Sequence, residues 1–160
     1  MQRLKISLEQ FAIARRVANS IKEDRIKCDM NEHDFTGGSS DFLGFLAEVV
    51  IDDFIGIDRP QLIMGGTDGG VDVCIDGVNV DVKASGYDGE DPCLILFKDK
   101  AYPCDYFVLV VLKNYYFSVM GGISKKDFFE KCEERNFGYG PRLCVGADKL
   151  EPYRFKELIK

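Results

Sequence analysis

"GGVDVCIDGVNVDVKAS" (Gly69–Ser85) carries branched apolar residues at every second position on either side of Asp76-Gly77. Val71, Val73 and Ile75 lead into that dipeptide, and Val78, Val80 and Val82 leave it. A period of two belongs to strands with one buried face. Asp-Gly is a favoured two-residue hairpin turn, because both residues tolerate positive φ. With those residues as the turn, Ile75 opposes Val78, Val73 opposes Val80 and Val71 opposes Val82, so the branched side chains share one face. The other face puts Asp72 directly across from Asp81, with Cβ atoms about 4.5–5.5 Å apart. Lys83 follows two residues further along that face. Like charges directly opposite one another destabilise a sheet. A divalent cation between the carboxylates turns repulsion into coordination, and the Lys83 ammonium adds further positive charge. A longer or frayed turn that leaves both aspartates in water is the plainer alternative.

The rest of the chain bounds what that hairpin can belong to. With 160 residues, 46% apolar and 30% charged, it has the size and composition of one globular domain rather than a disordered segment. No apolar run approaches the roughly 20 residues of a membrane span; the longest, Tyr106–Leu112, has the length of a buried strand. "MQRLKISLEQ" lacks the apolar core of a signal peptide, so a cytoplasmic location without a membrane partner is expected. The six cysteines lie far apart with no CxxC pair, which removes zinc ribbons and four-cysteine clusters and leaves small core residues of a reducing compartment.

A net charge of −6 argues against coating nucleic acid by bulk electrostatics. The distribution is uneven. Residues 1–27 carry a net +4, residues 28–82 a net −11, and residues 83–160 a net +1. The acidic block is either a solvated face or a place that collects cations, and counting alone does not choose.

"SLEQFAIARRVANSIK" predicts a helix opened by a Ser7/Gln10 capping box, with Arg15, Arg16, Lys22, Arg25 and Lys27 making its flank and exit basic. After the polar loop "NEHDFTGGSS", the stretch "SDFLGFLAEVVIDDFIG" predicts a second helix that is apolar almost all round and therefore buried. Gly44, Glu48 and Asp52 form its one narrow polar seam, and a carboxylate there needs a partner. Gly44 leaves room for another group to approach. Downstream, "DPCLILF", "CDYFVLVVL" and "NYYFSVMGGI" read as strands. "SKKDFFEKCEERNFG" reads as a helix capped by Ser124 and Asp127 and ended before Gly138. "ADKLEPYRFKELIK" suggests a short closing helix. The class is α/β in the mixed α+β sense, with three to five strands in a central sheet flanked by helices.

Glu48 on a helix, Asp72 on one strand and "DVK" (Asp81, Val82, Lys83) on the next resemble the PD-(D/E)XK nuclease superfamily, with its restriction-endonuclease-like fold. "GFLAE" resembles its helix carboxylate, "GVDV" its aspartate and "DVKAS" its (D/E)-x-K element, although Gly70 and Val71 stand where a proline often precedes the aspartate. The resemblance covers about Ser40 to the end. It implies a single domain over 1–160, with an N-terminal helical segment (1–30) and a nuclease-like core (40–160) built as a helix, a three-stranded meander, a helix and a further strand, all around a central mixed β-sheet. It also implies that Asp72 and Asp81 hold Mg²⁺ or Mn²⁺ with the Val82 carbonyl as an extra ligand. Glu48 then completes the site directly or through water, and Lys83 orients or helps to deprotonate the attacking water. Hard oxygen ligands suit those ions rather than zinc.

The implied function is metal-dependent hydrolysis of phosphodiester bonds in nucleic acid, with DNA the expected partner and a homodimer expected for duplex cleavage. The alternative is a catalytically silent nuclease-like module that binds nucleic acid or another partner. A stand-alone domain of this size is similar in that respect to phage-borne nucleases. Among secondary candidates, Asp52 could reach a second metal but is expected as an exposed acid. Ser85 could contact phosphate, and Tyr87 could stack on a base or pack on the rim. His33, the one histidine, carries a small prior as a ligand. "GGTDGG" lacks the lysine and following helix of a P-loop.

Overall fold

The computed structural model describes residues 1–27, 39–57, 71–87, 89–153 and 155. His33, Gly70 and the whole of "GGTDGG" lie outside the described residues. A five-stranded mixed sheet organises the rest. In chain order its strands are β1 (Gln2–Lys5), β2 (Val73–Ile75), β3 (Val78–Ser85), β5 (Tyr106–Lys113) and β6 (Tyr116–Ser124), arranged in space as β1-β6-β5-β3-β2. Only β3 and β5 run parallel; the other neighbours are antiparallel.

The central strand β5 explains the unbroken apolar run. Val108 and Val110 point into one core with Val80, Val82, Phe117 and Val119, whereas Phe107, Leu109 and Val111 point into a second. Helices α1 (Leu8–Lys27) and α2 (Ser39–Ile55) cover the first face through Ala14, Leu46, Val49 and Val50. The second face is covered by a three-stranded sheet of order β4-β8-β7 and by α3 (Lys125–Lys131). The added strands are β4 (Cys93–Leu96), β7 (Glu133–Asn136) and β8 (Pro141–Gly146). Leu94, Leu96, Val145 and the α3 residue Phe128 fill that core.

Local signals account for the element ends. Ser7 N–H donates to Gln10 Oε1 at 2.8 Å and Gln10 N–H to Ser7 Oγ at 3.1 Å, a reciprocal capping box. Gly56, with φ +77°, ends α2, and the Ile57 N–H returns to the Asp52 carbonyl at 2.9 Å, as in a Schellman cap. Ser124 caps α3 by accepting the Asp127 N–H at 3.0 Å.

Several expectations need correction. The helix over "SKKDFFEKCEERNFG" stops at Lys131, and Glu133–Asn136 is a strand paired with β8. The N-terminal segment is not wholly helical, since Gln2–Lys5 pairs with β6. The central sheet has five strands, and among the described residues a second sheet of three strands, not expected from the sequence, lies beside it. Between β3 and β5, where the resemblance implies a helix, the chain supplies β4. The tail begins with a 3₁₀ turn over Ala147–Lys149. Among the described residues, no helix is long and apolar enough to cross a membrane.

Candidate active site

The hairpin turns where expected. Asp76 and Gly77 have φ of 50° and 81°, and Ile75↔Val78, Cys74↔Asn79 and Val73↔Val80 are in register. At Asp72 the ladder changes. Val73 pairs with Val80, and the Asp72 N–H also donates to the Val80 carbonyl at 3.0 Å. Two residues of the first strand thus address one of the second, the count that defines a β-bulge. The Asp72 carboxylate then accepts the Val82 N–H at 2.5 Å. The direct Asp72–Asp81 opposition expected from an unbroken ladder therefore does not form. The bulge turns Asp72 onto a backbone donor instead of leaving two like charges face to face.

β2 ends its pairing at Val73, whereas β3 runs on to Ser85 with β5 on its other side. In a strand, the N–H and C=O of one residue point to the same side. The Val82 carbonyl therefore faces the side on which Asp72 meets the Val82 amide.

Asp81 and Lys83 project from the opposite face to Val80 and Val82, beside Phe107 and Leu109 of β5. Asp81 is 3% exposed. The Lys83 side chain, 30% exposed, places Nζ 2.5 Å from Asp81 Oδ1. Burial alone would lower the Lys83 pKa, but attraction to Asp81, their hydrogen bond and the Asp72 charge outweigh it and raise the pKa. Lys83 is thus held as an ammonium. Two further neighbours carry no recognisable sequence pattern. Buried Cys104 has its thiol pushed up to about 11, first by burial and then by the Asp81 charge. Burial also raises the Tyr102 pKa, and both Lys83 and Asp81 act on it. Asp105, likewise unmarked in the sequence, pins the start of β3. Its carboxylate accepts the Asn79 N–H at 2.9 Å, and its own N–H donates to the Asn79 carbonyl at 2.8 Å.

Helix α2 lies on the other face. Leu43 sits 3.7 Å from where a Cβ on Gly86 would stand, whereas Val50, Asp53 and Phe54 share a small cavity with Leu4 and Lys5. Glu48 lies between these ends and is half-buried. Among the described residues, no three His, Cys, Asp or Glu side chains stand together as a metal-ligand group. The structure brings Asp72, Val82, Asp81 and Lys83 together, and it carries Glu48 on α2, the helix packed against the Val80 and Val82 face of the sheet. Asp52, expected at the surface, is 3% exposed, because the helix is packed on nearly every side. Ser85 Oγ accepts the Tyr87 N–H at 3.1 Å, and the Tyr87 ring lies over Gly89. The chain matches no protein-family model, no curated protein and no solved structure.

Proposed function

We propose that the protein is a divalent-metal-dependent nuclease of the PD-(D/E)XK kind, acting on the phosphodiester bonds of DNA. The observation that carries this reading is the grouping of Asp72, the Val82 peptide, Asp81 and Lys83 where β3 outruns β2. The donor set suits Mg²⁺ or Mn²⁺. Both carboxylates and the Val82 carbonyl are hard oxygens, and Mg²⁺ keeps several of its waters rather than demanding an all-protein cage. A carboxylate offers about four lone-pair sites, so accepting the Val82 N–H at Asp72 and the Lys83 ammonium at Asp81 is compatible with holding an ion as well. An ion held there supplies Lewis-acid polarisation of the phosphodiester and a more acidic water.

The chain's own residues have distinct tasks. The Val82 N–H fixes the Asp72 carboxylate. Asp81 holds the Lys83 ammonium, which offers charge and hydrogen bonds to a phosphate oxygen. Lys83, beside Asp81, orients or helps to deprotonate the attacking water and offsets charge on the phosphate. Glu48, on α2, completes the site directly or through a metal-bound water. One site per chain implies that duplex cleavage uses two copies.

The test is cleavage of plasmid and single-stranded DNA with Mn²⁺ by the wild type, Asp81→Asn and Lys83→Ala. Loss of cleavage in both variants supports the reading; equal cleavage by all three, or none by the wild type, removes it. The Asp81–Lys83 pair is already internally neutralised, which also suits a silent binding module. That second reading requires nucleic-acid binding that needs no metal and survives both substitutions.

A further inference from the structure

The outer sheet carries an aromatic and cationic patch that none of the residues above uses. Phe97 follows β4 by one residue and comes opposite Arg142, by extension of the Leu96↔Leu143 pairing. The Arg142 guanidinium stands 4.2 Å from the Phe97 ring centroid and 5.5 Å from that of Tyr139. Tyr139 in turn stacks on Phe137 at 6.4 Å with an interplanar angle of 20°. Four flat groups therefore follow one another across the tip of the β7–β8 hairpin. Two of them are open to solvent, Phe97 at 53% and Tyr139 at 62% exposure, while Phe137 and Arg142 are half-buried. Exposed aromatic rings interleaved with a guanidinium form a surface on which nucleobases stack whatever their sequence.

Charge favours a polyanion. Glu133 is bound by Arg135 and Lys149, and Glu134 by Lys98. Arg142 donates to its neighbour's Pro141 carbonyl at 2.9 Å and has no carboxylate partner among the described residues. Lys100, 5.6 Å above the Tyr102 ring centroid, is in the same position. With Asp99 and Asp148, which act on Lys98 and Lys149, this surface holds Lys98, Lys100, Arg135, Arg142 and Lys149 against four carboxylates, a slight cationic excess in a chain whose net charge is −6.

Tyr102 links this patch to the candidate active site. Its hydroxyl accepts the Phe97 N–H at 2.8 Å and donates to the Phe97 carbonyl at 3.3 Å, while its ring lies within electrostatic reach of Lys83 and Asp81.

We infer that Phe97, Tyr139 and Arg142 form a base-stacking platform for single-stranded nucleic acid, which rests on the nuclease reading for its place beside a cleavage site. The platform is tested by fluorescence anisotropy in EDTA, where no cleavage occurs. The probes are a labelled oligothymidylate and an abasic strand of equal length and charge. Tyr139→Ala and Arg142→Ala are expected to weaken oligothymidylate binding about tenfold each. Arg142→Lys, which keeps charge but loses the planar stack, is expected to fall close to Arg142→Ala. The abasic strand should bind wild type weakly and be insensitive to Tyr139→Ala. Circular dichroism of each variant checks folding, and Tyr139→Phe, which keeps the ring, should restore binding. Equal binding by wild type and Tyr139→Ala, equal binding of the two probes, or no binding of oligothymidylate overturns the inference.

The two readings fail separately. Metal-dependent cleavage that Tyr139→Ala leaves unchanged in KM sinks the platform alone. Stacking-dependent binding with no cleavage sinks the nuclease alone.

Discussion

The Asp72 carboxylate accepts the backbone N–H of Val82 at 2.5 Å, so a side chain takes the donor that an unbroken β2–β3 ladder would have paired with Val71. This bond ties the first candidate ligand to the peptide inside the (D/E)-x-K element. It also gives Asp72 a structural role separable from any metal. A hydrogen bond to a charged group contributes about 1.5–3 kcal/mol. Asp72→Ala is therefore expected to destabilise the fold by about that amount in urea titrations. Asp72→Asn, which keeps an acceptor, should cost less than half as much, and both variants should lose Mn²⁺ binding by calorimetry. Metal binding retained by Asp72→Asn would remove Asp72 from the ligand set.

The Asp81–Lys83 pair makes a prediction whose sign separates two roles for the lysine. Removing one partner of a buried pair leaves the other charge uncompensated and costs about 3–5 kcal/mol. Lys83 retains 30% side-chain exposure, so Lys83→Met should lie nearer to about 2 kcal/mol once solvent screening is allowed for. The ammonium also competes with a divalent cation for Asp81. Lys83→Met should therefore bind Mn²⁺ more tightly and gain more in Tm from it, while losing cleavage. Weaker Mn²⁺ binding by Lys83→Met would show that the ion does not share Asp81 with the lysine.

Burial sets a pH dependence at the alkaline end. The Cys104 thiol is raised from 9.0 to about 11. The Tyr153 phenol is raised from 10.0 to about 12 by burial and the neighbouring Tyr106, and its hydroxyl has no hydrogen-bond partner among the described residues. A raised folded-state pKa means that the native protein holds its proton more tightly than the unfolded chain. The stability from Cys104 is complete below about pH 9 and is lost as pH rises through 11; that from Tyr153 follows between 10 and 12. At about 1.4 kcal/mol per pKa unit, Cys104 contributes at most about 3 kcal/mol. Urea midpoints should fall from pH 8 to pH 11, and Cys104→Val should flatten the first part of that fall. Thiol titration at pH 8 should label exposed Cys74 readily and Cys104 only on unfolding.

The hairpin was the most legible part of the chain, because its turn chemistry and its burial period agree. Asp76-Gly77 supplies both positive φ values, and Val73, Ile75 and Val80 go into the core together. The capping box and β5 were legible for the same reason, each being decided by neighbours in sequence or by one unbroken apolar run. Strand β7 was not. "EERN" is composed largely of helix formers, all four residues are exposed, and what makes it a strand is pairing with β8 alone. β1 buries a single side chain, Leu4. At the site, the residue types and the Asp81–Lys83 proximity could be read from their spacing of two. The bulge at Asp72 could not, since nothing local distinguishes a ladder that continues from one that turns a carboxylate onto an amide. Tyr102 and Cys104 reach the site through the second core, a long-range packing event with no local pattern.

Gly44 supplies the last prediction, because it separates helix stability from access to the α2 seam. A Cβ built on Gly44 meets no described atom within 4 Å, and the position is interior to α2 (Ser39–Ile55). Glycine in a helix interior costs roughly 0.8–1.0 kcal/mol relative to alanine. Gly44→Ala should therefore stabilise the fold by about 1 kcal/mol, read as a higher urea midpoint at unchanged m-value. If the seam of Gly44, Glu48 and Asp52 only buries the helix, DNA cleavage with Mn²⁺ will be unaffected. Cleavage that falls while stability rises would mean that the glycine keeps a passage open beside Glu48, and would support a place for that carboxylate in the catalytic group.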